Sequence, residues 1–494
     1  MSAAAALAPP KQLWVAFGVL SATFFMLLVD FSIVTVALPT MESSLHMSAA
    51  QGQWIVSTYA IFLAGFLMLT GRCADLFGRR RFFVAGLAIF TLASLLGGLA
   101  QNGAELIAMR GLQGFGAALV NPAALAIVLS MFPPGGQRAR AISLWGMIGS
   151  SGIAVGMLLG GVLVQYLGWR SVLFVNVPFA LAVFACLPFT VPADRGGERR
   201  GKLDVAGAVL LTAALVTVVY TIELIPGDGV ASVATGLRAL LAVALAAAFV
   251  LVERRAAEPI LPARLFRYPD LLSGACVVAL QPMSYAGIMV FTSIYAQRVS
   301  GYDALATGLA FLPSTLVTSF VAAPLTMPIC RRIGVRAMGI WASAIMVGGE
   351  AILLFMRPDS SYWSSILPGT CVGVFGGMLA YQSGMIAGLA HVDEADEGSA
   401  SAAMSFALQL GIGFGVALGA FAQELRTAQL QRAGASADAA LAGGLHAAFW
   451  VGIVIGAVCL AAVVAGIRHA AEADVPLRHF VPFGKIHHRV SVRS

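Results

Sequence analysis

The chain has 494 residues, of which 59% are hydrophobic and 11% charged, with a formal net charge of +7 and a mean hydropathy of +0.88. No soluble core of this size needs so much apolar surface, which excludes a soluble enzyme or nucleic-acid-binding module and makes a bilayer the expected solvent. The positive charge is explained by where the basic residues fall around the apolar runs, not by an acidic ligand.

Apolar stretches of about 20 residues cross the hydrocarbon layer. Fourteen are predicted, at approximately 13–37, 52–70, 82–100, 104–131, 139–165, 171–191, 205–224, 234–252, 271–297, 305–327, 335–355, 363–389, 398–424 and 444–468. The first run is too long for a signal h-region and lacks a small-residue cleavage site, so it is expected to be a retained helix. With the N-terminus in the cytoplasm, one side collects most basic residues, including Lys11, Arg79, Arg80, Arg81, Arg138, Arg199, Arg331 and the tail. The other side holds Arg170, Arg298, Arg357, Arg426 and Arg432. This asymmetry follows the positive-inside rule and places both termini in the cytoplasm.

Ionisable residues inside spans are expensive and are functional candidates by default. Asp30 lies seven residues before the outer end of the first predicted span, and Arg110 six residues past the outer start of the fourth. At 1.5 Å per residue both sit roughly 9 to 10 Å deep, so they can be neighbours. A carboxylate beside an arginine stays ionised until that partner is displaced or its cavity dries, which gives a basis for proton coupling. The alternative is a permanent ion pair that fastens two helices. Glu105, Glu223, Glu350 and Glu424 fall near the outer ends of their spans, where a carboxylate costs little. Glu350 is the deepest of these and a candidate to line a cavity in the second half.

Between the second and third spans, Gly71 to Arg81 reads GRCADLFGRRR. It is predicted as a short loop in which Gly71 and Gly78 permit a tight turn and Asp75 and Arg79 can pair four residues apart. Arg80 and Arg81 are read as topology anchors, and Asp75 as a latch that caps a helix N-terminus of the other half. The fifth span carries Gly152, Gly156, Gly160 and Gly161, read as one face for close helix packing. Pro122, Pro282, Pro313 and Pro324 are expected to bend their spans.

The chain divides into an N-terminal six-helix half (1–191), a polar linker with an inserted helix pair (192–262), a C-terminal six-helix half (263–468) and a basic tail (469–494). A degenerate repeat supports this: Met327 to Arg336 lies over the first loop with Gly334 on Gly78 and Arg336 on Arg80, but with Arg331 where Asp75 stands. Parallel six-helix repeats around a midplane cavity are a transporter architecture. The six cysteines are scattered, so no disulfide framework is expected, and no His or Cys spacing suggests a metal. No nucleophile or phosphate loop stands out, so neither catalysis nor a cofactor is expected.

These residues resemble the major facilitator superfamily, and within it the fourteen-helix drug:proton antiporters. Gly71, Asp75, Gly78, Arg79 and Arg80 match the signature between the second and third helices. RGLQGFGAA, with Arg110, Gly111, Gln113 and Gly114, is similar to the fourth-helix motif, and VDFSIVTVALP to the first-helix motif around Asp30. QWIVSTYAIFLAG from Gln53 and GWRSVLFVNVPF from Gly168 match as well. The resemblance implies an all-α polytopic membrane protein of two six-helix halves plus an inserted hairpin, with Arg110 implicated in proton transfer. In GIAVGMLLGG, Met157 stands where the antiporter motif has proline, which leaves symport open beside antiport. The expected activity is export of amphipathic small molecules, drugs or metabolites, in exchange for protons. Proton-coupled uptake or facilitated diffusion is the second reading, and a non-transporting receptor or scaffold on the same fold the third. The expected setting is the inner cell membrane, as a monomer whose partners are lipid, substrate and protons.

Overall fold

The computed structural model describes residues 10–132, 136–191, 204–228, 232–256, 259, 262–357, 360–393 and 396–467. Most of the polar linker at Pro192 to Asp204 and the basic tail lie outside these residues. The first half contains α1 (Pro10–Ser44), α2 (Ala49–Phe77), α3 (Arg79–Gly98), α4 (Gly103–Met131), α5 (Gly136–Leu167), the single turn α6 (Ser171–Phe174) and α7 (Asn176–Thr190). A hairpin follows, α8 (Val205–Asp228) and α9 (Val233–Glu253). The second half contains α10 (Pro269–Ala286), α11 (Thr292–Arg298), α12 (Ala304–Leu316), α13 (Ala323–Leu353), α14 (Ile366–Leu389), α15 (Glu397–Arg432) and α16 (Ala437–Gly466).

Helix is the form these apolar runs must take, because lipid offers no partner for backbone groups. Polar side chains close the helix starts: Ser48 and Gln51 form a reciprocal capping box on α2, and Asn102, Ser232, Asp303 and Ser436 accept from the first turns of α4, α9, α12 and α16. Among the described residues, eleven helices are long and apolar enough to cross a membrane. The protein is therefore a multi-pass membrane protein. One of the eleven, Ala304–Leu353, has 50 residues and is broken at Gly334, where φ is 80° and ψ 161°. Counted as two crossings and joined by α2 and α5, whose side chains are only partly described, the set is consistent with fourteen.

Wide π turns at Gly287–Phe291 and Val317–Ala322 join α10 to α11 and α12 to α13, each just beyond a proline, Pro282 or Pro313. The missing proline N–H interrupts the helical ladder in those spans.

Within the first half α1 packs on α5 and α7, while α4 packs on α2 and α3. In the second, α14 packs on α10 and α13, and α16 on α10, α13 and α15. The halves meet along two seams, α5 against α12 and α2 against α15, and α8 lies against both helices of the second. An apolar cluster fills the junction near the C-terminal end of α1, joining Ile33 and Val36 to Phe291, Ile294, Tyr295 and Phe449.

Candidate proton-coupling site

Asp30 on α1 and Arg110 on α4 form a salt bridge of 2.7 Å, with side chains 0% and 1% exposed. Equal depth from opposite helix ends therefore brings them together, as their spacing predicts. The α4 motif explains how. A Cβ at Gly114 would lie 2.3 Å from the Tyr59 carbonyl, and one at Gly111 3.0 Å from Thr58 Cγ2. Their absent side chains let α2 press on α4, so that Arg110 Nε donates to the Ile55 carbonyl at 3.1 Å and the guanidinium lies 4.4 Å from the Tyr59 ring centre.

Gln113, one turn on from Arg110, shares its face. Its Oε1 accepts from Arg110 Nη1 at 2.8 Å, and its Nε2 donates to Ser94 Oγ at 2.6 Å and to Asp30 Oδ1 at 3.3 Å. Asn176, the first residue of α7, donates to the same Asp30 oxygen at 2.6 Å. Four helices and α7 thus enclose one buried ion pair. A buried charge pair held by several hydrogen bonds is tolerated in a low-dielectric interior, and removing one partner strands the other. Asn176 and Ser94 were not singled out by the sequence. Asn176 lies within the matched GWRSVLFVNVPF segment, where a lone amide in an apolar span was the available signal.

Glu350 is 1% exposed on α13, near the C-terminal end of that helix. Its Oε1 accepts from Ser284 Oγ at 2.7 Å, and Oε2 has no hydrogen-bond partner among the described residues. Ser284 also lies 3.1 Å from the Gly452 carbonyl, and a Cβ at Gly452 would meet the carboxylate at 3.0 Å. The single Ser284 proton cannot serve both acceptors at once. Ser284 and Gly452 both belong to the second half, so Glu350 is a separate site from Asp30.

The segment predicted as a loop is mostly helix. Gly71 to Phe77 completes α2, and the turn is confined to Gly78, with φ 114° and ψ 121°. Gly71 is therefore not a turn residue; it packs on Pro122, whose side chain would be 3.4 Å from an added Cβ. Arg79 Nη1 donates to the Ala126 carbonyl of α4 at 3.0 Å. Asp75 lies in α2, and its side chain is outside the described residues, as is the proposed latch. Arg80 is the second residue of α3, after Arg79. Gly334, which the overlay places on Gly78, also has a positive φ, 80° against 114°.

The α5 glycines serve two partners, not one. Added Cβ atoms at Gly152, Gly156 and Gly160 would meet α1 at Phe25, Val29 and Ile33, whereas one at Gly161 would lie 2.7 Å from the Ala304 carbonyl of α12. Gly161 thus faces the other half. Met157 occupies an uninterrupted α5, and its carbonyl would be 2.6 Å from a Cβ at Gly308.

Two polar clusters lie away from Asp30. At the C-terminal end of α1, Glu42 pairs with Arg298 of α11, Gln297 Nε2 donates to the Val36 carbonyl at 3.2 Å and Ser293 Oγ to that of Thr35 at 3.5 Å. The sequence does not mark Glu42, because the apolar run stops near residue 37 while α1 continues to Ser44. At the opposite end, Arg264 pairs with Asp396 and His391 with Asp270, while the Tyr268 hydroxyl lies 2.8 Å from Asp393 and 3.1 Å from Asp396. The bond to Asp393 pushes the Tyr268 phenol above its ordinary range.

Two parallel helical halves facing each other, with buried charge between their helices, define a secondary-transporter fold. The Major Facilitator Superfamily model matches residues 20–416, and the chain belongs to that superfamily. It is a transporter, not an enzyme. The chain is 34% identical over 484 residues to the puromycin resistance protein of Streptomyces alboniger, covering 96% of this chain and 95% of that protein. It is 37% identical over 407 residues to the cephamycin export protein of Amycolatopsis lactamdurans, covering 80% and 82%. It is 32% identical over 417 residues to the lincomycin resistance protein of Streptomyces lincolnensis, covering 83% and 84%. Among solved structures, a bacterial homologue of the human lysosomal transporter Spinster, inward-facing and unoccupied, superposes with a TM-score of 0.67 at 15% identity, covering 94% of this chain and 100% of that one. A peptide transporter of the POT family gives 0.65 at 15% identity, covering 92% and 99%.

Proposed function

We propose that this protein exports amphipathic small molecules across the inner cell membrane in exchange for protons, with Asp30 as the coupling carboxylate. The observation that carries the coupling is the Asp30–Arg110 pair, buried between α1 and α4 at a depth where ionisable side chains are costly and functional by default. The names of the three relatives, two for resistance and one for export, support the direction of transport and the class of cargo.

In this reading the halves 1–191 and 263–468 rock about the two seams, and residues 192–262 supply an accessory hairpin in a chain of fourteen crossings. Both termini lie in the cytoplasm and the monomer is the working unit. When substrate or water reaches the pair and draws Arg110 away, Asp30 loses its countercharge and takes a proton. Glu350, buried with no ion pair among the described residues, is the candidate second carrier. One charge moved through about 100 mV releases about 2.3 kcal/mol, sufficient for a gradient on the order of 50-fold. For a monovalent cation exchanged one for one the potential cancels, and a second carboxylate then matters.

The test uses inverted vesicles. Acidifying the lumen drives substrate inward for an antiporter, Asp30→Asn abolishes the drive, and a resistance profile in an efflux-deficient host unchanged by that substitution would rule the coupling role out. Proton-coupled uptake is the second reading, favoured by Met157 and the unbroken α5. It requires an acid lumen to drive substrate outward instead.

A further inference from the structure

We propose that Asn176 is a positioning residue for proton transfer at Asp30: its amide holds the carboxylate in its ionised form and must let go before Asp30 takes a proton. This rests on the proton exchange proposed above and names a residue that sets when it occurs.

The argument is one of donors and acceptors. Asp30 Oδ2 accepts from Arg110 Nη1 at 2.7 Å, and Oδ1 accepts from Asn176 Nδ2 at 2.6 Å and Gln113 Nε2 at 3.3 Å. All three partners are N–H groups that only donate. A neutral carboxylic acid carries its own O–H and needs an acceptor, which none of these nitrogens supplies. The closed cage therefore suits the anion and offers the acid O–H no acceptor, so protonation requires a partner to move.

Two of the partners are held by further bonds. Arg110 also donates to the Ile55 carbonyl and to Gln113 Oε1, and Gln113 also donates to Ser94. Both stand on α4. Asn176 makes the shorter contact to Oδ1, and its second contact, to Ser94 Oγ, is long at 3.4 Å. It stands at the start of α7, two residues beyond the end of the separate turn α6. A small displacement of that helix start from α1 removes the amide from Oδ1 without disturbing the bonds on α4.

An asparagine also suits both states. Rotated by half a turn, the amide presents its carbonyl oxygen, which accepts from the neutral acid. The titratable and charged groups at the cage are Asp30 on α1, Arg110 on α4 and Tyr59 on α2; α3 and α7 contribute the neutral Ser94 and Asn176.

The experiment titrates the full-length protein in lipid nanodiscs by infrared difference spectroscopy, with protons as the sole probe. The Asp30 acid band is assigned by its loss in Asp30→Asn. In Asn176→Leu the band is expected at about tenfold lower proton concentration than in the wild type, the effect of losing one hydrogen bond to a charged group. Asn176→Ser, which keeps a shorter donor, is expected to shift less in the same direction and serves if the leucine variant does not fold. An unmoved band in a folded variant would overturn the role of Asn176. The coupling reading is tested separately in the inverted vesicles. Lost coupling in Asp30→Asn with an unmoved band in Asn176→Leu removes only the positioning role, while intact coupling in Asp30→Asn removes both.

Discussion

Glu42 and Arg298 pair with each other across the two halves at a separation of 256 residues, the same separation that relates the positive-φ glycines Gly78 and Gly334. The two residues therefore occupy matching places, at the ends of the first helices of the two halves. A glutamate near the end of α1 and an arginine at the end of α11 thus form an ion pair between the halves. Glu42 is 3% exposed against Gly52, where an added Cβ would collide with its carboxylate.

A pair placed there resists separation of the halves at that end. Glu42→Gln is expected to raise the population with the α1 and α11 ends apart by roughly fivefold, the equivalent of about 1 kcal/mol for a pair with one partly exposed member. Spin-label distances between these ends read the shift. An unchanged distance distribution would show that the apolar cluster alone holds the junction.

The buried Asp30–Arg110 pair makes a different prediction, about stability. Arg110→Leu leaves Asp30 without its countercharge and is expected to cost about 3–5 kcal/mol. Adding Asp30→Asn should recover much of that loss without restoring proton-driven transport. Thermal melts of the single and double variants measure the coupling. Additive losses would mean that the pair does not act as a unit.

Gly78 and Gly334 are required by conformation, Gly71 by neither conformation nor close contact. With φ of 114° and 80°, Gly78→Ala and Gly334→Ala are each expected to cost about 1–3 kcal/mol. Gly71→Ala, helical and 3.4 Å from Pro122, should be close to neutral. Melting temperatures of the three variants separate turn from packing within the charged segment.

The two roles of the α5 glycines separate by substitution. Gly156→Val drives a side chain at the Val29 carbonyl, 2.7 Å from an ideal Cβ, and is expected to lower folded yield because α1 and α5 belong to one half. Gly161→Val meets the Ala304 carbonyl of the other half at 2.7 Å. It should keep folded yield but shift the seam toward separation, visible as a longer α5–α12 label distance. Loss of yield in both variants alike would place both glycines in a single packing face.

The residues that the sequence exposed well are those whose cost is local. Asp30 and Arg110 stand out because an ion in an apolar run is expensive wherever its partner lies, and their depths follow from helical rise alone. Gly78 and Gly334 stand out because a charged, glycine-bearing break recurs between apolar runs. Gly71 was misplaced for the converse reason: composition marks a charged segment but not the residue at which a helix stops, and α2 runs six residues beyond Gly71.

Partner identity was not legible in that way. Glu42 lay past the apolar run, Asn176 was one polar residue in a matched segment, and Gly161 shared a spacing with glycines that face another helix. Periodicity assigns a residue to a side of its own helix, but what stands opposite depends on how distant helices assemble. Thus the sequence by itself determined a membrane bundle, its spans and the buried charges that demand explanation, because hydrophobic length and desolvation act residue by residue. Only the tertiary structure decided that Asn176 completes the Asp30 cage, that Glu42 meets Arg298 and that Gly161 belongs to the seam, because contacts between remote helices depend on packing and register that no single span encodes.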